Sequence, residues 1–218
     1  VPLQYILGQQ EFWGLEFRVT PSVLIPRPET EGLIEQTLLR FRGRPAKVAD
    51  VGCGSGCIAV ALAHELPEAQ IYATDISPAA LAVARENALR HGMGNRIEFY
   101  QGDLMKPLSE KGLGAGLDAV VSNPPYLVDS EMNQLAPEIK AHEPRMALAA
   151  GAEGLDVITR LLPQAATLLA NDGLLLLEIG EGMEPRVKEL AAKSGLVWES
   201  TAPDLQGIPR VLIAKKFP

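Results

Sequence analysis

Lys47-Val-Ala-Asp-Val51 reads as a short buried strand, Gly52-Cys-Gly-Ser-Gly56 as a tight turn, and Cys57-Ile-Ala-Val-Ala-Leu-Ala63 as the opening of an apolar helix. A strand that passes through closely spaced glycines straight into a helix is the nucleotide-binding unit of doubly wound α/β folds. Glycines let the backbone turn and approach a ligand with no Cβ in the way, and the helix start offers unpaired N–H groups. The spacing is G-x-G-x-G, not the G-x-G-x-x-G of the dinucleotide fingerprint. Downstream, Gln70-Ile-Tyr-Ala-Thr74 reads as a second strand, ending in Asp75. A carboxylate there suits the two hydroxyls of a ribose. Asp75 also precedes a helix, for which Ser77-Pro78 is a ready cap.

The remainder of the chain repeats the alternation. Strands are predicted around Val48, Tyr72, Phe99, Val120, Leu175, Val197 and Leu212. Helices are predicted from Pro28 to about Arg40, then at Cys57–Glu65, Pro78–His91, Leu155–Leu169 and about Glu184–Lys193. Such alternation gives a doubly wound, mostly parallel sheet with helices on both faces. Residues Leu3 to about Leu24 alternate apolar and polar, with Gly8 and Gly14 as turn signals, and read as a β-hairpin linker. Two units follow, 1–27 as linker and 28–218 as the catalytic domain. Leu127–Gly154 is too polar and interrupted for a regular element. A loop that long is usually functional, and this one is expected to form the mouth of a substrate site.

Asn123-Pro124-Pro125-Tyr126 closes the apolar run Asp118-Ala-Val-Val-Ser122. The two prolines fix their own φ and drive the preceding residues out of the helical region. Neither has an N–H, so the carbonyls stand as acceptors without a donor beside them. The result is a stiff lip bearing an amide, outward carbonyls and an aromatic ring. It suits a planar –NH2 group, whether of a glutamine amide or of adenine or cytosine.

Bulk properties narrow the partners. The chain has 218 residues and a net charge of −7, which disfavours a protein whose main work is gripping phosphates. Its two cysteines, Cys53 and Cys57, suit packing beside the glycine turn better than a disulfide framework or a metal site. No apolar run approaches the ~18 residues of a membrane span. A cytoplasmic monomer is expected, with no direct nucleic-acid partner, membrane or metal. His64, His91 and His142 are expected to face solvent.

The glycine turn, the acidic strand end and the lip together resemble class I S-adenosylmethionine-dependent methyltransferases. Leu3-Gln-Tyr-Ile-Leu-Gly8, Phe12-Trp-Gly-Leu-Glu-Phe17 and Val23-Leu-Ile-Pro-Arg-Pro-Glu-Thr-Glu31 make the chain similar to the HemK family within that class. The likeness continues through Glu143-Pro-Arg145, Gly154-Leu-Asp156, Leu177-Glu-Ile-Gly180 and Asp204 to Arg210. Ala150 and Met183 depart from the family's usual residues in two loops. Members carry a separate helical domain ahead of Leu3, and the expectation is a chain without it.

The resemblance implies a seven-stranded sheet with an antiparallel insertion at Val211–Ala214. It also implies methylation of the glutamine amide in the Gly-Gly-Gln loop of class 1 peptide chain release factors. The alternatives are a ribosomal-protein glutamine methyltransferase and an adenine-N6 nucleic-acid methyltransferase. The cofactor is S-adenosyl-L-methionine, leaving S-adenosyl-L-homocysteine. Gly52, Cys53, Gly54, Ser55 and Gly56 would run beneath its methionine part, and Asp75 would hold its ribose. Asp103 would accept from the adenine amine and Leu104 would pack on the ring, with Asn123 bordering the site. Asn123, Pro124 and Tyr126 are the expected catalytic residues, and Pro125 and Arg27 complete the substrate contacts. Arg27 could equally hold the linker through a salt bridge. Glu178, at the end of Leu174-Leu-Leu-Leu177, needs a partner that the sequence does not name.

Overall fold

A computed structural model of the protein describes residues 1–133 and 135–217. Gln134, inside the loop expected at Leu127–Gly154, lies outside the described residues, as does Pro218. The main sheet has seven strands: β3 (Ala46–Val51), β4 (Ala69–Asp75), β5 (Ile97–Gln101), β6 (Leu117–Ser122), β7 (Leu169–Glu178), β8 (Leu196–Pro203) and β9 (Pro209–Lys216). Their order is β5-β4-β3-β6-β7-β9-β8. From β5 to β7 neighbours are parallel, and β9 is antiparallel to both β7 and β8. Order reverses between β3 and β6, which opens a crevice at their carboxyl ends.

Helices α2 (Glu31–Phe41), α3 (Cys57–Glu65) and α4 (Pro78–Arg90) cover one face, and α7 (Asp156–Leu168) and α8 (Glu184–Lys193) the other. Helix α3 is buried from Cys57 to Ala63, so it carries no polar stripe and sits as a core element. Helix α4 begins as its sequence predicts: the Ala80 N–H donates to Ser77 Oγ at 3.2 Å, with Pro78 in the first turn.

Each predicted strand centre falls in a strand, and the four helices after the glycine turn hold to within one residue at each end. The helix expected from Pro28 opens instead as a 3-10 turn, Pro28–Thr30, before α2. The N-terminal hairpin is shorter than Leu3–Leu24. Helix α1 (Leu3–Leu7) precedes it, and only β1 (Gln9–Phe12) and β2 (Leu15–Arg18) pair. Trp13 and Gly14 both take left-handed φ, 55° and 67°, the two-residue turn whose twist matches a hairpin. Helix α5 (Lys106–Glu110) follows β5, and the polar loop after the lip contains helix α6 (Pro137–His142). Both are too short for periodicity to reveal.

The hairpin is not a free linker. Phe12 and Phe17 lie in the same buried cluster as Leu33, Ile34 and Leu62. Asn87 of α4, fully buried, accepts from the Arg18 N–H at 2.8 Å. Its Nδ2 donates to Arg18 O at 3.0 Å and to Ser55 O at 2.9 Å. One amide thus ties the hairpin to the glycine turn. His91, expected in solvent, instead packs its ring 5.2 Å from that of Phe17 and hydrogen-bonds Glu16 O.

Candidate active site

The site lies at the carboxyl ends of β3 to β7. At β3, Gly52, Gly54 and Gly56 all take left-handed φ, and no atom lies within 4 Å of where a Cβ on Gly52 or Gly54 would be. The turn is therefore a bare backbone surface, pinned by the Gly52 and Cys53 N–H groups donating to Thr74 O. Asp75 Oδ2 accepts from the Gly54 N–H at 2.9 Å and Oδ1 from the Ser77 N–H at 2.9 Å. Each oxygen keeps a second lone pair, so the carboxylate is braced and still able to accept. Beneath the turn, Asp50 Oδ2 accepts from the Ala59 N–H in the first turn of α3 at 3.0 Å. Its Oδ1 is buried without a protein partner, and burial pushes this carboxyl up to about 7. Cys53 and Cys57 are free and buried, and burial raises both thiols, Cys57 to about 12, so neither is a nucleophile.

After β5, the Gly102 N–H donates to Asp75 O at 3.0 Å and sets the next loop against β4. Asp103 pairs with Arg160 of α7 through Oδ2. Leu104 takes φ 52°, a conformation that is uncommon for a side chain of this kind. Such strain gathers at binding sites.

A bare glycine surface, an acidic strand end and an unpartnered buried carboxyl oxygen fit S-adenosylmethionine, which has an ammonium group, a cationic sulfonium and a ribose. The residues expected to hold it, Gly52–Gly56, Asp75, Asp103, Leu104 and Asn123, all lie at or just beyond the carboxyl ends of β3, β4, β5 and β6.

The lip leaves β6 at Ser122, whose Oγ donates to Val51 O at 2.6 Å and locks the two strand ends together. A cavity of about 160 Å³ then opens, lined by Arg27, Asn123, Pro124, Pro125, Tyr126 and Glu178 among others. Five of these six are predicted substrate residues. A wider groove of about 650 Å³ lies between the lip loop and the turn Gly180–Met183 that follows β7. Tyr126, Leu127 and Leu135 line both spaces. The Tyr126 ring is so near Gly180 that a Cβ there would stand 3.0 Å from Cδ2. Burial raises its hydroxyl to about 12, so it stays neutral. The Leu127 N–H donates to Leu148 O and the Ala150 N–H to Leu127 O, folding the following loop back along the lip.

Arg27 forms the salt bridge anticipated as one of its two roles, reaching Glu143 Oε1 at 2.6 Å while still bordering the cavity. Glu178 finds its partner in Thr30, whose Oγ1 donates to Oε2 at 2.7 Å. Asn123 Nδ2 in turn donates to Thr30 Oγ1 at 2.9 Å. Burial pushes the Glu178 carboxyl up to about 7, against the opposing pull of Thr30 and Arg210. Thr30 stands in the Val23–Glu31 motif, yet nothing along the chain joins it to residues 148 and 93 positions away. Asn87 is hidden in the sequence for the same reason, with partners 69 and 32 positions away.

The methyltransferase small domain model matches residues 33–151. The release factor glutamine methyltransferase of Moorella thermoacetica is 48% identical over 98% of this chain and 74% of its own length. That of Geobacter sulfurreducens is 46% identical over 97% and 72%. The chain belongs to the release factor glutamine methyltransferase family. A methyltransferase from Pyrococcus furiosus shares the fold, with a TM-score of 0.68 at 18% identity over 94% of this chain and 91% of that one. Among the described residues no helix is long and apolar enough to cross a membrane.

Proposed function

We propose that this family member methylates the side-chain amide nitrogen of the glutamine in the Gly-Gly-Gln motif of class 1 peptide chain release factors, and so tunes translation termination. The observation that carries the reading is Asn123, held by its nitrogen at the edge of a small cavity beside two rigid prolines. The names of the curated relatives support the substrate and do not favour a ribosomal protein or a nucleic acid.

S-adenosylmethionine supplies a sulfonium methyl already activated for transfer. The chain must position a weak nucleophile, because an amide nitrogen's lone pair is delocalised into its carbonyl. Asn123 Oδ1 and the Pro124 carbonyl accept the two amide hydrogens, aim the nitrogen and support the positive charge that grows on it. Tyr126 covers the flat amide and excludes water. The cofactor would supply the methyl and leave as S-adenosyl-L-homocysteine, and the chain needs no strong base, because the nitrogen's extra proton can leave after transfer. Gly52–Gly56, Asp75, Asp103 and Leu104 seat the cofactor, and Arg27 borders the entrance.

The test is intact mass of a purified class 1 release factor after incubation with this protein and S-adenosylmethionine. A gain of one methyl, absent when the motif glutamine is replaced by alanine, is the expected result. No gain in either factor would overturn the substrate.

A further inference from the structure

We propose that Thr30 and Glu178 are positioning residues for methyl transfer, a hydroxyl–carboxylate relay that fixes which end of the Asn123 amide faces the substrate cavity. The proposal rests on the reading of Asn123 just given.

An ionised carboxylate only accepts, and a hydroxyl has a single proton. With Thr30 Oγ1 donating to Glu178 Oε2, that oxygen can only accept from its other neighbour. The neighbour must therefore present N–H, and it is Asn123 Nδ2 that approaches. The Asn123 side chain also hydrogen-bonds Glu178, and a carboxylate accepts only from N–H, which leaves Oδ1 as the amide's acceptor for the cavity that Asn123 lines. An inverted amide would set two acceptors against each other at Thr30 with no proton between them. It would also show donors to an incoming –NH2.

The relay explains a costly feature. Glu178 is 2% exposed, and a buried carboxylate seldom stabilises a fold. A glutamine could donate or accept and would leave the direction of the chain open. Only the ionised acid enforces it.

The direction is then sensitive to protonation. Thr30 and Glu29 face Glu178 from the 3-10 turn, Arg210 from β9, and Asn123 and Tyr126 from the lip. Burial outweighs the Arg210 charge and sets the carboxyl near 7. Once protonated, Glu178 can donate to Thr30, whose own hydrogen can turn toward Asn123 Oδ1. Transfer falls as pH drops through that range.

The first arm of the test needs no substrate. In 15N-labelled protein, the side-chain amide signals of Asn123 are identified by their loss in Asn123→Asp. They should shift with a midpoint at about pH 7, keep that step in Thr30→Ser, shrink it in Thr30→Val and lose it in Glu178→Gln. An absent step in the unaltered protein, or an unchanged one in Thr30→Val, overturns the relay. The second arm is steady-state methylation of the release factor. Thr30→Val should lower kcat by about 10- to 100-fold with KM nearly unchanged. Serine should restore the rate, and Glu178→Gln should abolish the acid limb of the pH profile. Full kcat in Thr30→Val, or an intact acid limb in Glu178→Gln, would also overturn the relay. If the unaltered protein leaves the release factor unmethylated, the substrate reading falls, while the amide signals still judge the relay.

Discussion

The glycine turn is held mainly by main-chain donors from its own surroundings, the lip by side chains from distant segments. Gly52, Cys53 and Gly54 bond to Thr74 and Asp75 on the adjacent strand. Asn123 is oriented by Thr30, before α2, and through it by Glu178 at the end of β7. A surface built from backbone tolerates changes of side chain that keep the glycines. A side-chain amide held in one of two directions depends on each partner. The cofactor end of the site is set by local chain geometry, the substrate end by tertiary assembly.

The sharpest way to break this contrast is Asn123→Ala. It should lower transfer by about 100- to 1,000-fold, the usual cost of removing a preorganised charge-stabilising group. Cofactor affinity measured by calorimetry should hold. Equal loss of both would mean that the two ends are one unit.

Asn87→Ala should follow in size. It removes three hydrogen bonds at a fully buried site and strips the tie between Arg18 and Ser55. The expected loss is about 2–4 kcal/mol in urea unfolding, with weaker cofactor binding. A neutral result would show that the hairpin adds nothing to the glycine turn.

Asp75→Ala should weaken cofactor affinity by about 10- to 100-fold, as loss of charge-assisted hydrogen bonds does. KM for the protein substrate should barely move. An unchanged dissociation constant would remove Asp75 from the site.

The smallest effect sharpens the comparison from both ends at once. Asp50 lies under the glycine turn and Glu178 behind the lip, and burial raises each to about 7. The folded chain thus keeps protons that the unfolded chain releases. Stability falls as pH rises from about 4 to about 7, then levels off. Unfolding free energies at pH 5 and pH 8 should differ by on the order of 2 kcal/mol for each group. Asp50→Asn and Glu178→Gln should each remove their share. A flat profile between those pH values would show that neither group is protonated in the fold.

Legibility in the sequence followed the same division. Lys47–Ala63 declared strand, turn and helix through contiguous residues, because each glycine and each apolar position acts on its immediate neighbours. Ser77 and Pro78 announced a cap in the same way. Asn123-Pro124-Pro125-Tyr126 announced a rigid lip, since proline acts on its own φ. What brought Thr30 beside Asn123 was the packing of α2 and β7 around the sheet, and no local pattern encodes a bond across the sheet. The short helices α1, α5 and α6 escaped for a different reason. Five or six residues do not complete two turns, so no apolar stripe can form.

The 148-residue span between Thr30 and Glu178 also orders events during synthesis. A chain leaving the ribosome can pair β3 with β4 and close the glycine turn while β7 is still to be made. Asn123 gains its direction only once Glu178 has emerged and β7 has docked beside β6. At roughly 5–20 residues per second, that is a delay of seconds. During it, the growing chain carries its lip without the carboxylate that sets the lip's direction.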